Sequence, residues 1–432
     1  MLAYEDGATT DDRPVWERIR RSAIPPALLA RSVWPTWIAT RLSFALGLLL
    51  AHAGSRKPLL PADVAVVYFN AARRLAQGAV PYLGFHYEYP PGTLPVLGLT
   101  WLLGGHSRAS FVVVWCLLML TLDAVITQRL TRFRFGVDAA YVWIIGICLI
   151  GPTALLRNDL IVVASFVVAF LITAERGTLV GGALWMLGVL AKVWPLAPMA
   201  ALLFLRRPGR AKLAGGAAVV LGATAVLLAV QGALGPMVTY LFTRQGQRPI
   251  EIESLWATPS WIRTLITDMP LPVTHTFGSA NLVGGETLMS IATLCTAAVQ
   301  LACVLAPALI ARRLGVSITV PVLAWTFALY VSATLLLAPV VSPQYALWLL
   351  GASCVLLGVV GRAAAGSFVA VTLAACGLTQ LIFPGMFTQL QQGQPAAIIV
   401  LVLRNSLLIL VFVFGARGLR RSVAALKAPT TH

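Results

Sequence analysis

The sequence predicts an all-α polytopic membrane protein with about twelve transmembrane helices. Of its 432 residues, 59% are hydrophobic and only 11% are charged, whereas soluble globular chains carry about 25% charged residues. The mean hydropathy is +0.85. Apolar runs of about 15 to 25 residues recur from Trp34 to Phe414, and the polar stretches between them are too short for a separate soluble domain.

Twelve segments are long enough to cross a bilayer, some of them only just. Their bounds are 34–53, 109–128, 138–154, 159–174, 178–191, 193–206, 212–233, 286–311, 317–340, 344–361, 364–385 and 397–416. We therefore expect a tail over 1–33, a membrane domain over 34–418 with a first outer loop over 54–108, and a second tail over 419–432.

The basic residues predict the orientation. A net charge of +17 would suggest a nucleic-acid partner in a soluble chain, but here most Arg and Lys lie in short loops between apolar runs. The basic loops at 129–134, 206–212, 312–313 and 417–421 fall on one side if the apolar stretch 93–103, only about eleven residues long, does not span. We therefore predict cytoplasmic termini and a juxtamembrane or re-entrant helix at 93–103, and no nucleic-acid partner.

The first outer loop predicts an amphipathic helix in the headgroup plane, with Asp63 at its N-cap. The apolar residues that share one face at 3.6-residue spacing are Val64, Val67, Tyr68, Ala71 and Leu75, opposite Arg73, Arg74 and Gln77. A simple cap is therefore one interpretation of Asp63. The aromatic and proline-rich stretch 81–91 follows. Its aromatic residues can form either an interfacial belt or a surface on which a sugar stacks.

Ionisable and polar residues collect on the side opposite the basic loops. They are Asp63, Glu88, Arg157, Asp159, Lys192, Arg244, Arg248, Glu251 and Glu253, with Gln344 and Tyr345 nearby. A basic cluster with one or two carboxylates suits an anionic phosphate substrate and a general base. Structural roles stay open for single residues, since Asp159 can simply pair with Arg157 and Lys192 can extend to the interface. Within the spans, only Asp123 and Arg404 are expected in hydrocarbon.

The cysteines predict neither disulfides nor a metal site. All of them lie within apolar runs and lack disulfide or metal-ligand spacing: Cys116, Cys148, Cys295, Cys303, Cys354 and Cys376. We therefore expect no metal and no other cofactor.

Several short motifs, taken in order, carry a family resemblance. They are Asp63 before the juxtamembrane helix, Tyr82 with Tyr89-Pro90-Pro91, Arg157-Asn158-Asp159, Lys192 followed by Trp194-Pro195, Glu251-Ile252-Glu253-Ser254-Leu255, and Ser342-Pro343-Gln344-Tyr345 with Trp348. Their order and membrane side resemble the GT-C superfamily of membrane glycosyltransferases. Within it the chain is most similar to glycosyltransferase family 87, the actinobacterial group that includes PimE-like α-1,2-mannosyltransferases.

The resemblance implies a GT-C-type fold and a metal-independent, inverting transfer on the outer face of the plasma membrane. A sugar, most simply mannose, would pass from a polyprenyl-phosphate donor to a lipid-linked or cell-envelope glycan such as a phosphatidylinositol mannoside. Asp63 matches the position of the family's general base. The family often has a second acidic residue beside the base, whereas Asp63 is flanked by Ala62 and Val64. Glu88 and then His86 are therefore reserve candidates.

The resemblance also implies a site for the donor. Lys192, with Arg157, Arg244 or Arg248, would hold the donor phosphate and stabilise its charge as it leaves. The remaining residues assigned to the donor site are Asp159, Glu253, Gln344 and Tyr345. Glu253 can alternatively orient Arg248.

Two other functions stay open from the sequence. Polyprenyl-phosphate arabinofuranosyltransferases share the same scaffold, so the sugar is undecided. A lipid or solute transporter typically shows inverted repeats, broken helices and ionisable residues near the midplane. No convincing internal repeat is visible, and the charges collect on one side, which favours the enzyme. A membrane scaffold would leave that cluster unexplained.

Overall fold

The computed structural model describes residues 26–54, 63–175, 178–199, 209–246, 248–315 and 318–426. Its helices, in chain order, are α1 (Pro26–Gly54), α2 (Phe69–Ala76), α3 (Leu94–Gly104), α4 (Arg108–Leu130), α5 (Gly136–Ile150), α6 (Asp159–Glu175), α7 (Leu179–Ala191), α8 (Arg210–Val230), α9 (Leu234–Gly246), α10 (Thr258–Thr267), α11 (Glu286–Leu314), α12 (Val320–Leu337), α13 (Ala346–Val360), α14 (Arg362–Gln380), α15 (Phe387–Gln391) and α16 (Pro395–Ala425). The described chain is therefore almost entirely helical.

Eight helices among the described residues are long and apolar enough to cross a membrane. They are α4, α5, α8, α11, α12, α13, α14 and α16, some with an adjoining short helical turn. Half of the predicted span 193–206 and most of the predicted tail 1–33 lie outside the described residues. The prediction of an α-helical multi-pass membrane protein is confirmed at this level.

Helix burial separates the centre of the bundle from its periphery. In the apolar stretches of α12 and α13, 83% of the residues are buried, compared with 22% in that of α8 and 17% in that of α11. Because α8 and α11 expose mainly apolar side chains, they are suited to positions that face lipid.

Two short helices carry charged residues at their ends. With 17 residues in α6 and 13 in α7, these helices extend about 25 and 20 Å, while the hydrocarbon core of a bilayer is about 30 Å thick. Asp159 begins α6 and Lys192 follows α7. We call the end of the bundle that carries these two residues the site end; there the Asp159 side chain is fully buried and that of Lys192 is 14% exposed, so both are recessed from the surface.

The first loop departs from the predicted helix. Residues Asp63–Tyr68 form a π-helical turn, and α2 follows it directly. Val64, Tyr68 and Phe69 are buried, whereas Val67, expected on the apolar face, is 42% exposed. The predicted face was therefore partly wrong, because a π-helical turn holds more residues than the 3.6 assumed. The next helix, α3, has 11 residues and is too short to cross the core, as the sequence predicted.

A compact segment that we call the cap, Arg248–Leu282, packs on the start of α16 through a hydrophobic cluster that is separate from the main core of the bundle. Ile252 and Trp261 of the cap pack in one buried cluster with Ile398 and Leu401 at the start of α16. The cap consists of α10 and an antiparallel hairpin, β1 (Val273–Thr276) and β2 (Ser279–Leu282).

The hairpin is an exception to the predicted all-α fold. Phe277 and Gly278 connect its strands, and both have positive φ, 54° and 69°. This pattern is typical of the two-residue turns that match the twist of antiparallel strands. Glycine takes such a conformation without steric cost.

One pair of opposite charges lies inside the bundle. Arg41 Nε is 2.8 Å from Asp123 Oδ2, and Arg41 Nη2 is 3.0 Å from Oδ1. The indole nitrogens of Trp37 and Trp143 donate to the same carboxylate at 2.8 and 2.7 Å. The sequence prediction named Asp123 but missed Arg41, the cation that neutralises it.

Candidate functional site

Asp63 and Arg157 form the more accessible of two ion pairs at the site end. Arg157 Nη1 lies 2.6 Å from Asp63 Oδ1, with 20% and 31% of the two side chains exposed. Burial opposes the charge of Arg157, but Asp63, Tyr68 and Tyr89 outweigh burial, and the pKa of Arg157 is raised. Arg157 therefore stays cationic and holds a carboxylate that a ligand can still reach.

Asp159 and Lys192 form the second, deeper ion pair. Lys192 Nζ lies 2.8 Å from Asp159 Oδ1, and the indole nitrogen of Trp348 donates to the same oxygen at 2.7 Å. Asp159 is fully buried. Burial opposes the charge of Lys192, but Asp159 and Tyr345 outweigh it, so the pKa of Lys192 is raised. Asp159 thus pairs with Lys192, and Arg157 pairs with Asp63 instead.

An aromatic stack lies against the Lys192 ammonium group. The nitrogen is 4.6 Å from the ring centre of Tyr345 and 5.0 Å from that of Trp348. Tyr345 and Trp348 stack at 3.9 Å, and Trp194 also stacks on Trp348, at 5.2 Å. Cation–π attraction and the Asp159 carboxylate therefore fix the position of the charge together.

The first loop packs directly on the end of α7. A Cβ atom on Gly92 would lie 2.5 Å from the carbonyl carbon of Leu190, so only glycine permits this approach. Tyr82 donates a hydrogen bond to the backbone oxygen of Tyr89 at 2.7 Å. Tyr87 and Thr93 join their hydroxyl groups by a hydrogen bond. These contacts hold the loop beside Lys192.

Tyr89 lies between the two ion pairs. Burial raises the pKa of Tyr89, while a hydrogen bond to Tyr68 and the charges of Lys192 and Arg157 lower it. Because both cations act on one hydroxyl group, the two ion pairs belong to a single electrostatic site.

A second buried cluster connects the cap to α16. Arg404 Nη2 donates to the backbone oxygen of Glu253 at 2.7 Å and lies 3.5 Å from its Oε2 atom. Burial raises the pKa of Glu253 to about 8, although Arg404 lowers it. Burial also raises the pKa of Glu251, against the charge of Arg248 and a hydrogen bond from the Val341 backbone.

This cluster changes two expectations. Glu253 forms its ion pair with Arg404, whereas the sequence suggested that it orients Arg248. Arg404 was expected in hydrocarbon, but its guanidinium group faces the cap. An arginine in an apolar run requires a partner, yet sequence alone does not identify a glutamate about 150 residues earlier.

The remaining predicted residues are distributed unevenly. Gln344 is buried beside the aromatic stack. Glu88 is exposed and takes part in none of the ion pairs found in the described chain. His86 is also exposed and stacks on Tyr240 at 5.9 Å. The side chain of Arg244 lies outside the described part of the structure.

Among the described residues, no group of three or more His, Cys, Asp and Glu side chains lies together in a way that could hold a metal ion.

No protein-family model matches the chain, and no curated protein matches it either. The fold and the site by themselves define a class. The protein is an α-helical multi-pass membrane protein, with paired charges and stacked aromatic rings recessed at one end of the bundle.

Proposed function

We propose that this protein is a membrane glycosyltransferase of GT-C type. It moves a sugar, most simply mannose, from a polyprenyl-phosphate donor to a lipid-linked or cell-envelope glycan. The observation that carries the proposal is the pair of cations, Arg157 and Lys192, that lie in one site with a partly exposed carboxylate, Asp63. Fixed cations suit a phosphate group, and a reachable carboxylate suits a hydroxyl proton.

The proposed chemistry needs only side chains and the two substrates. Asp63 removes the proton of the acceptor hydroxyl, whose oxygen attacks the anomeric carbon of the donor. The bond from that carbon to the phosphate oxygen breaks, and the polyprenyl phosphate leaves with the electron pair. Arg157 and Lys192 stabilise the charge that develops on the phosphate. Attack opposite the leaving group inverts the anomeric centre, and no metal takes part.

The membrane orientation belongs to the same proposal. The short connections at the opposite end of the bundle carry Arg129, Arg132, Arg134 and Arg362. By the positive-inside rule, this end faces the cytoplasm, so the site end faces outward across the plasma membrane. Twelve spans and two cytoplasmic termini fit this arrangement.

The first test is sugar transfer by the purified protein in detergent. The donors are polyprenyl phosphates carrying labelled mannose or arabinofuranose, and the acceptor is an envelope lipid extract. We expect transfer by the wild type, a loss of about 10²- to 10⁴-fold in Asp63→Asn, and near-wild-type transfer by the matched control Glu88→Gln. Monodisperse elution checks that each variant is folded.

The outcomes separate the alternatives. Transfer from the arabinose donor alone would keep the reaction class and change the sugar. Loss of transfer in Glu88→Gln but not in Asp63→Asn would move the base to the reserve residue. A wild type that transfers neither sugar would contradict the enzyme and favour a lipid or solute transporter.

A further inference from the structure

Four side chains in the region of Asp159 and Trp348 have buried polar atoms that lack a hydrogen-bond partner among the described residues. They are Asn158 (Oδ1 and Nδ2), Asp159 (Oδ2), Trp194 (Nε1) and Gln344 (Oε1). Asn158 is 2% exposed and Asp159 is fully buried. Buried polar atoms are normally paired, so this concentration at one place needs an explanation.

Their residues belong to or adjoin one aromatic stack. Asp159 accepts a hydrogen bond from the indole N–H of Trp348, and Trp194 and Tyr345 both stack on that ring. Gln344 directly precedes Tyr345 in the chain. The four side chains therefore form one neighbourhood, next to the charges that hold the phosphate in the proposed function.

Neighbouring tryptophans have their N–H groups satisfied. Trp115 donates to the backbone oxygen of Leu155 at 3.1 Å, and Trp185 donates to that of Pro195 at 2.9 Å. The packing of this region thus supplies partners for indole nitrogens. The unpaired nitrogen of Trp194 is an exception, as expected if its partner belongs to a ligand.

We propose that Asn158, Asp159, Trp194 and Gln344 form a subsite for the hydroxyl groups of the donor sugar; this inference rests on the proposed function. Three of the unpaired atoms accept hydrogen bonds and two donate them. Neighbouring hydroxyl groups satisfy both kinds at once, because each hydroxyl donates and accepts. A phosphate dianion only accepts, and it stays with Arg157 and Lys192.

The test compares two probes that differ only in the sugar. One is a short-chain polyprenyl phosphate, and the other carries mannose or arabinofuranose on the same lipid, with binding measured by calorimetry. Gln344→Met keeps the approximate size of the side chain, whereas Trp194→Phe also loses part of the ring; each removes the unpaired atom. We expect each to weaken binding of the sugar-bearing probe about 10-fold, and to leave the bare phosphate probe unchanged.

Thermal unfolding without ligand provides a second readout. Removing an unpaired buried polar atom relieves an unfavourable burial, so Gln344→Met should raise the unfolding midpoint. Trp194→Phe also leaves a cavity, so its midpoint should fall, but by less than in a variant that also loses an indole hydrogen bond. The matched control is Trp261→Phe in the cap, whose indole nitrogen donates to Ile252 at 2.9 Å. That variant should lower the midpoint and bind both probes as the wild type does.

The results separate the two proposals. If both site variants weaken both probes equally, or weaken neither, the sugar subsite is wrong while the glycosyltransferase remains. If the wild type binds neither probe, this result contradicts the proposed function and the proposed sugar subsite as well.

Discussion

At the residue scale, three acidic side chains at the site end and in the cap each lie beside a basic partner. Asp63 lies with Arg157 and Asp159 with Lys192, while Glu253 lies with Arg404. The exposure of these pairs differs, from a fully buried Asp159 to an Asp63 side chain that is 31% exposed. The exposed member suits proton transfer, and the buried members suit fixed electrostatics.

Glu253 gives a prediction on pH. Its pKa in the folded protein is raised to about 8, above the ordinary value near 4.5. Between these values the folded state holds a proton that the unfolded state has lost, so stability falls as the pH rises through this window. Below pH 4.5 and above pH 8 the contribution of this group is constant.

The measurement is the unfolding midpoint of wild type and Glu253→Gln between pH 4 and 9. Because glutamine cannot titrate, we expect the variant to gain stability relative to the wild type as the pH rises from 4.5 to 8. A constant difference between the two proteins across this range would show that Glu253 does not titrate there.

Whole elements set the distances within the site. The short helices α6 and α7 recess Asp159 and Lys192, and the first loop reaches them by packing Gly92 against the end of α7. The position of the loop thus depends on one residue without a side chain.

Gly92→Ala tests this contact. The added methyl group would overlap the Leu190 backbone, so the loop must shift away from α7 and from Lys192. We expect sugar transfer to fall at least about 10-fold, since small displacements in a site are costly. The control is Gly98→Ala in α3, where a Cβ meets nothing within 4 Å. Equal transfer by both variants would mean that the close approach is unimportant.

The ion pair between α1 and α4 gives a prediction on stability. Asp123→Asn leaves Arg41 buried without its counter-charge, and removing one partner of a buried pair typically costs about 3–5 kcal/mol. Asp138→Asn is the matched control, because Arg362, its partner at 2.7 Å, is 71% exposed. For that exposed pair we expect less than about 1 kcal/mol. Thermal unfolding in detergent measures both variants, and similar midpoints would contradict the structural role of Asp123.

The whole molecule places a polar site at one end of a bundle whose other end is basic. The 23 residues of α4 extend about 34 Å, enough to separate these two ends by a bilayer. His106 and Arg132 flank this helix and mark the two sides.

Labelling of single cysteines with a membrane-impermeant reagent in intact cells tests the topology. In a background without the native cysteines, we expect His106→Cys to react from outside and Arg132→Cys to react only after the membrane is opened. Outside labelling at position 132 would contradict the proposed orientation and the count of twelve spans. Labelling of both after opening shows that each thiol is reactive.

The sequence by itself determined the membrane class and the positions of most helices. Long apolar runs have few other stable structures, because every backbone polar group in a bilayer must be hydrogen-bonded internally. The run at 397–416 therefore falls within α16, and the short run at 93–103 coincides with the short α3. The sequence also selected Arg157, Asp159 and Lys192 as residues that are costly near lipid without partners.

Only the tertiary structure decided which charges pair. Helical periodicity gives the face of a residue but not its neighbour on another helix, so the partners of Arg157, Arg41 and Arg404 were not determined by sequence. The sequence analysis did not predict the π-helical turn at Asp63–Tyr68 or the β-hairpin of the cap. The reason is related, because local propensity is weak compared with the packing that stabilises these elements. The sequence thus shows which charged residues must be kept away from lipid, and the packing of the helices determines which of them become partners.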